Sequence, residues 1–280
     1  MDYYLAQVNL GRILAPMDSS EMAEFKANLD PINALAEESE GFVWRLTDES
    51  NNATSIPVTE DRFLLVNMSV WRTIDDLFAF TYRSAHTEYV RRRAEWFERM
   101  KEMFMCFWYV PAGHLPTVAE AMERIAHIRE HGPTPYAFTF KKRFTVMDMH
   151  PFFLNKCVQL AEIAAQQGES AVGSVLVKDG RILGTGYEKS RQLKDISRHA
   201  EMVAILDALQ QSNDLSGSVL YSNAEPCILC SYAIRHHKIA TVVFSRYVGE
   251  LGGTHAPCNV LTADSFTAWG PPPEIVVYSV

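Results

Sequence analysis

Positive charge is in short supply: 26 Lys and Arg stand against 34 Asp and Glu in 280 residues, a formal net charge of −8. That balance gives no overall footprint for phosphate backbones, so a small-molecule partner is expected and nucleic acid is not. Cysteine is scarce too. Five in this length are too few for a disulfide scaffold. The longest apolar run, Met103 to Val110, falls far short of the roughly 20 residues a membrane helix needs. Met1-Asp2 opens no basic-then-apolar leader, and a cytoplasmic location without membrane contact is expected. A Gly-rich phosphate loop, an internal repeat and a low-complexity tract are also missing, apart from the short bend Pro271-Pro272-Pro273.

What remains is a globular composition, 48% hydrophobic and 21% charged. From Tyr3 the pattern reads strand (to Val8), one long helix (about Ser20 to Glu38, with Ser19 or Ser20 as N-cap), then strands Phe42 to Leu46 and Phe63 to Val70 around a polar loop. Helical spacing covers Ile74 to Tyr82 and Glu88 to Met100; Met103 to Val110 reads as another strand and Thr117 to Glu130 as another helix. This is an α+β order of split β-α-β character. A boundary is expected near Thr145 to His150, dividing the chain into domains 1–146 and 147–280. The second part reads as helix Phe152 to Gln167, a hairpin of Gly173 to Lys178 and Arg181 to Tyr187 on the turn Asp179-Gly180, then helix His199 to Leu209. Strand Ser218 to Ser222, helix Cys227 to His236 and strand Thr241 to Ser245 follow, an alternation that favours parallel pairing.

Two motifs carry chemistry. His199-Ala200-Glu201 and Pro226-Cys227-Ile228-Leu229-Cys230 each fall where a helix begins, and together they match a zinc deaminase signature of one histidine, a nearby glutamate and a Pro-Cys-x-x-Cys pair. Cys227 and Cys230 share one helical face, and the positive end of the helix favours their thiolate forms. Three protein ligands, His199, Cys227 and Cys230, leave a fourth tetrahedral position for water, as catalytic rather than structural zinc requires. Glu201 is then the proton shuttle. A structural zinc site would need a fourth ligand, for which His236, His237, His255 or Cys258 are the candidates; His236-His237 reads more simply as the charged end of a helix. Cys106, Cys157 and Cys258 read as buried or bystander thiols.

From about His150 onward the chain resembles the cytidine deaminase-like superfamily, in the branch of guanine deaminases and bacterial tRNA adenosine deaminases. The resemblance rests on Val172 to Val177, the His199-Ala200-Glu201 motif, and Glu225 to Cys230 with Ala233. It implies a three-layer α/β/α fold, one zinc ion, a homodimer, and a hydrolytic deaminase acting on an aminated heterocycle. Where relatives often carry asparagine after the second strand's aromatic residue, this chain has Glu188 after Tyr187. A carboxylate accepts hydrogen bonds and favours a ring presenting N–H groups; otherwise Glu188 is a solvated loop residue. Tyr187, Glu188, Ala200, His255 and Trp269 are the candidate substrate contacts. From Asp148 onward 10 Lys and Arg meet 13 Asp and Glu, which favours a free base, nucleoside or related ring over RNA; an RNA adenosine deaminase is the alternative.

The first part resembles an uncharacterised group of the dimeric α/β-barrel superfamily, with a ferredoxin-like fold shared with antibiotic biosynthesis monooxygenases. Leu5 to Asn9, Gly41 to Leu46, Ser84-Ala85-His86 and Trp108 to His114 carry it. The resemblance leaves two readings: His86, Trp96, Trp108 and His114 line a small-molecule cavity, giving a two-domain pathway enzyme, or they are core residues of a domain serving dimerisation or substrate delivery.

Overall fold

The computed structural model describes residues Tyr3 to Tyr278, and the chain forms two compact units that divide between Val146 and Met147. Among the described residues no helix is long and apolar enough to cross a membrane.

In the first unit β1 (Tyr3–Arg12), β2 (Phe42–Arg45), β3 (Leu64–Trp71) and β4 (Met105–Pro111) make one sheet in the order β2-β3-β1-β4. Every pairing in it is antiparallel, with Ala6 opposite Val70 on one side and Trp108 on the other. Successive side chains point to opposite faces of a strand, and both faces are apolar. Ala6, Val8, Met68, Val70, Cys106 and Trp108 pack against Ala121, Ile125 and Ile128 of helix α5, Val118–His131. Leu5, Trp71 and Phe107 cluster on the other side with Ala36 and Leu77, residues of helices that lie between the strands.

The expected long helix over Ser20 to Glu38 is broken: a turn of 3-10 helix at Ser20–Met22 leads into α1 (Ala23–Ala27), and α2 spans Leu29–Glu38. Pro31 explains the restart, since it has no N–H for the Ala27 carbonyl and its ring clashes there. Placed in the first turn of α2, it loses nothing, and Asn28 Nδ2 donates to Glu24 O at 2.7 Å across the break. After α3 (Ile74–Arg83), the helix expected over Glu88 to Met100 is only α4, His86–Arg92, with a 3-10 turn to Glu95. Trp96 is buried with Ile13 and Met22, and Glu98 N donates to Arg12 O at 2.8 Å, so the chain leaves the helix to join the end of β1.

His86, Trp96, Trp108 and His114 do not line one cavity. His86 stacks on Phe80 at 4.7 Å, Trp96 belongs to the cluster at the end of β1, and Trp108 lies under α5. His114 and Trp108 are joined through Glu120, a buried residue whose two oxygens accept from Trp108 Nε1 at 2.8 Å and bond His114 Nε2 at 2.9 Å. Packing against different elements separates residues that the sequence spreads along one apolar pattern.

The second unit opens with α6, Met149–Gln166, and the hairpin of β5 (Gly173–Lys178) and β6 (Arg181–Tyr187). Asp179 and Gly180 have φ of 52° and 76°, the left-handed pair a tight hairpin requires. A short α7 (Ser190–Leu193), α8 (Ala200–Ala208), β7 (Val219–Ser222), α9 (Ile228–His236), β8 (Thr241–Phe244) and β9 (Glu274–Val277) complete it. The sheet order is β6-β5-β7-β8-β9. Pairing is parallel only from β7 onward; β5 runs antiparallel to β6, which it reaches through the hairpin, and also to β7. Helix α6 covers one face, where Phe153 meets Tyr221 at 4.9 Å. Ile205 and Ala208 of α8 and Ala233 and Ile234 of α9 join Leu176, Leu220 and Val242 on the other. Three layers result.

Candidate active site

The register places one end of several strands together. Tyr187, the last residue of β6, pairs with Gly173, the first of β5; Ser174 pairs with Ser222 at the end of β7, which pairs with Phe244 at the end of β8. The segments leaving β6, β7 and β8 therefore emerge at one end of the sheet, where open α/β sheets bind ligands.

Helix α8 packs closely on β6 here because Gly184 and Gly186 place no side chain beneath it. A Cβ on Gly186 would lie 2.2 Å from Ala200 O and 2.5 Å from Ala204 N, so only glycine lets helix and strand approach this closely. Ala200 is fully buried there. His199 is the N-cap of α8, and Glu201 lies in its first turn. Cys227 is the N-cap of α9, with Cys230 one turn inside.

Two helix N-termini thus bring three donor atoms together. Cys227 Sγ lies 3.3 Å from His199 Nδ1 and 3.7 Å from Cys230 Sγ, and Cys230 Sγ lies 3.6 Å from His199 Nδ1. With zinc–sulfur and zinc–nitrogen bonds of about 2.3 and about 2.0 Å, a tetrahedral centre needs separations of about 3.8 Å between sulfurs and about 3.5 Å between sulfur and nitrogen. The donor set fits one such ion, and among the described residues His199, Cys227 and Cys230 lie close enough together to be able to hold one.

The hydrogen bonds polarise the cluster. Cys230 and His199 hold the Cys227 thiol down to about 4, and Cys227 in turn raises His199 to about 9. Cys230, beside the Cys227 sulfur and buried, is raised well above the ordinary thiol range. Burial raises the Glu201 carboxyl above its ordinary value. One Glu201 oxygen accepts from Ser222 Oγ at 2.9 Å, and the other lies 3.4 Å from Cys230 Sγ. Ser222 gave no signal in the sequence beyond its place at a strand end, and its hydroxyl also accepts from Ala224 N at 3.3 Å.

Glu225 is a second residue that sequence reasoning left without a role. Its buried carboxylate accepts from Val248 N at 3.1 Å and Thr254 N at 3.0 Å, and also bonds the Thr254 hydroxyl. A Cβ on Gly252 would sit 2.2 Å from that carboxylate. Glu225 therefore clamps the loop after β8 onto the turn bearing Cys227, which forms a bridge with Gly252.

The remaining candidates divide. Glu188 is buried rather than a solvated loop residue, accepts from Ser190 N at 3.2 Å, and its charge helps raise His199. The Tyr187 ring lies under Lys189 Nζ at 4.3 Å and its hydroxyl faces Gln167 at 3.4 Å, away from the donors. His255 is exposed, 3.7 Å from Glu225 and edge-on to Tyr247. Trp269 packs on Tyr232 at 5.0 Å and Phe266 at 5.3 Å, where buried Arg235 donates to the carbonyls of Val260, Ala263 and Gly270. Trp269 is part of the packing of the last segment on α9.

Residues 4–152 match the family described as a domain of unknown function, DUF3291, and residues 147–246 match the cytidine and deoxycytidylate deaminase zinc-binding region. A tRNA-specific adenosine deaminase of Aquifex aeolicus (strain VF5) is 38% identical over 112 residues, covering 39% of this chain and 74% of that protein. A tRNA-specific adenosine deaminase 2 of Xenopus tropicalis is 36% identical over 116 residues, covering 39% of this chain and 68% of that protein. The solved guanine deaminase of Bacillus subtilis is 32% identical, with a TM-score of 0.34 over 35% of this chain and 64% of its own. The chain thus belongs to the DUF3291 family over its first unit and, over its second, to the cytidine deaminase-like superfamily as a hydrolytic deaminase.

Proposed function

We propose that His199, Cys227 and Cys230 hold a catalytic zinc ion and that Glu201 moves the protons in hydrolytic removal of an amino group from a nitrogen heterocycle. The observation that carries this reading is the donor triangle of 3.3, 3.6 and 3.7 Å with Glu201 beside it. When bound, zinc supplies the Lewis acidity that activates water near neutral pH. Glu201 is buried, raised above the ordinary carboxyl range and anchored by Ser222, so it takes a proton readily and passes it to a ring nitrogen and then to the leaving amine. Water and the amino compound give a carbonyl compound and ammonia. Glu188 is the proposed acceptor for a ring N–H, supported by its burial at the end of β6.

The relatives named for tRNA remove the ground on which net charge set nucleic acid aside. Adenosine in RNA stands as a second substrate reading beside a free base or nucleoside. For the first unit, the β-α-β-β-α-β order and antiparallel sheet support a ferredoxin-like fold. A homodimer is proposed from the resemblance of both units to dimeric families.

The test is metal analysis together with ammonia release from the zinc-loaded protein, using free purines, pyrimidines, nucleosides, nucleotides, pterins, triazines and an adenosine-containing RNA hairpin. One zinc per chain and release from at least one ring are expected. Zinc retained in full by Cys230→Ala, or no release from any ring, overturns the reading.

A further inference from the structure

The sheet of the first unit is broken by a polar patch on the face opposite α5. At one end of that face Leu5, Trp71 and Phe107 cluster with Ala36 of α2 and Leu77 of α3. At the other, Leu65 clusters with Phe25 of α1 and Tyr89 of α4, and the Phe97 ring lies against Gly11, 2.7 Å from where a Cβ would stand. Each helical connection thus gives one segment to each end, and its break, at Asn28 or at Ser84 and Ala85, falls between them. Tyr89 Oη donates to Asn28 Oδ1 at 2.7 Å and ties the two connections together.

Between the ends, the two central strands set Gln7 opposite Ser69 and Asn9 opposite Asn67. Gln7 and Ser69 are buried, whereas Asn9 and Asn67 are exposed although packed rungs flank them along both strands. A groove results, closed at Gln7 and open at Asn9. Its floor is prearranged: Gln7 Nε2 donates to Asn67 Oδ1 at 2.8 Å and to Ser69 Oγ at 3.0 Å, and Ser69 Oγ accepts again from Trp71 Nε1 at 2.8 Å. Both amide protons of Gln7 and both lone pairs of Ser69 are thereby used. Gln7 Oε1, the Ser69 hydroxyl proton and Asn67 Nδ2 have no partner among the described residues, and buried polar groups are rarely left so. These two rungs carry one charge, Arg45 opposite Ser69, which Glu37 Oε1 takes up at 2.7 Å. His86 reaches the floor through a stack, its ring on Phe80 and Phe80 on Trp71 at 5.1 Å. The His86 Nδ1 is buried without a partner among the described residues, and burial lowers the pKa of the ring, which is therefore neutral.

We infer that this groove binds a small uncharged molecule with a hydrogen-bond donor and an acceptor on neighbouring atoms, the edge of a cyclic amide or an amidine. A carboxamide pairs with such an edge through two parallel bonds, as asparagine and glutamine do with adenine. An anion finds no unspent cation on the two rungs, and a purely apolar ring would leave Gln7 and Ser69 unpaired at a cost. Phe97 and Phe107 supply the apolar walls that a flat body needs. The inference rests on the first unit alone and stands whether or not the second unit deaminates.

The test uses the full-length, zinc-loaded protein with isotope-labelled asparagine and glutamine side-chain amides, followed by nuclear magnetic resonance. The cross-peaks of Asn9 and Asn67 are those lost in Asn9→Leu and Asn67→Leu, so binding at the metal site of the second unit is not mistaken for binding here. The probes are 2-pyridone, a cyclic amide; 2-aminopyrimidine, a neutral amidine; and pyrimidine, which has acceptors only. Saturable shifts of the Asn67 cross-peaks are expected, with 2-pyridone or 2-aminopyrimidine bound about tenfold or more tightly than pyrimidine. The tighter of the two identifies the edge. In Asn67→Leu, read on the Asn9 amide, the affinity for that probe falls by a similar factor while zinc content and ammonia release hold. Asn9→Leu, at an exposed position, serves in its place if Asn67→Leu loses its circular dichroism spectrum. No saturable shift of these amides, pyrimidine bound as tightly as the other two, or an affinity unmoved by substitution overturns the inference.

Discussion

The Ser222 hydroxyl donates to Glu201 Oε1 across 2.9 Å, with both residues buried. This bond connects the last residue of a strand to the first turn of a helix and opposes the rise that burial imposes on the Glu201 carboxyl. The form of Glu201 that accepts a proton is the carboxylate, which is present above its pKa. Removing the hydroxyl lets that pKa rise further, so in Ser222→Ala the acid limb of kcat/KM moves to higher pH. A pH–rate profile from about pH 5 to about pH 9 reads it, and a limb that stays in place or moves down contradicts the assignment.

Metal uptake should release protons. At neutral pH Cys227, held down to about 4, is a thiolate, whereas His199, raised to about 9, and Cys230, raised well above its usual range, are protonated. All three must be deprotonated to bind zinc, so about two protons leave per ion, and the apparent affinity falls about 100-fold per pH unit on acidification. Calorimetric titration in buffers of different ionisation enthalpy counts them. Release of none would show that the donors do not act together.

For Glu188, the carboxylate-to-amide change Glu188→Gln keeps shape while turning half of the acceptor into a donor. A buried partner left mismatched discriminates strongly between substrates, so KM for the true substrate rises by about tenfold or more while zinc content holds. Steady-state kinetics alongside metal analysis decide it; unaltered KM returns Glu188 to the role of capping Ser190 N, which it bonds at 3.2 Å.

The donor set was legible because its parts sit in two short motifs whose spacing obeys helix geometry, and the hairpin at Asp179-Gly180 because its turn residues specify it. What the sequence concealed depended on contacts between distant segments. The break at Asn28 needed Pro31 to be read as a helix start rather than an interior residue. Strand β9, Glu274–Val277, is four residues long with both end residues exposed, and it exists because β8 offers it an edge. Ser222 and Glu225 acquire their roles only when Glu201 and the loop at Val248 to Thr254 reach them in space.

The position of α8 can be tested through Gly186. A Cβ there would lie 2.2 Å from a carbonyl oxygen and 2.5 Å from an amide nitrogen of the helix, and backbone atoms cannot rotate aside as a flexible side chain can. In Gly186→Ala the helix must move off the sheet, and overpacking of this kind costs about 1–3 kcal/mol. Because His199 and Glu201 ride on the first turn of that helix, the displacement also pulls one donor from the triangle it forms with Cys227 and Cys230. Thermal unfolding should therefore show a lowered midpoint, and competition with a chelator should show weakened zinc binding in the same variant. Thr185→Ala, at the neighbouring exposed position, controls for strand propensity and should remain within about 0.5 kcal/mol of the parent. If Gly186→Ala lost stability yet held zinc as tightly as the parent, the approach of helix to strand would serve packing alone and would not position the metal site.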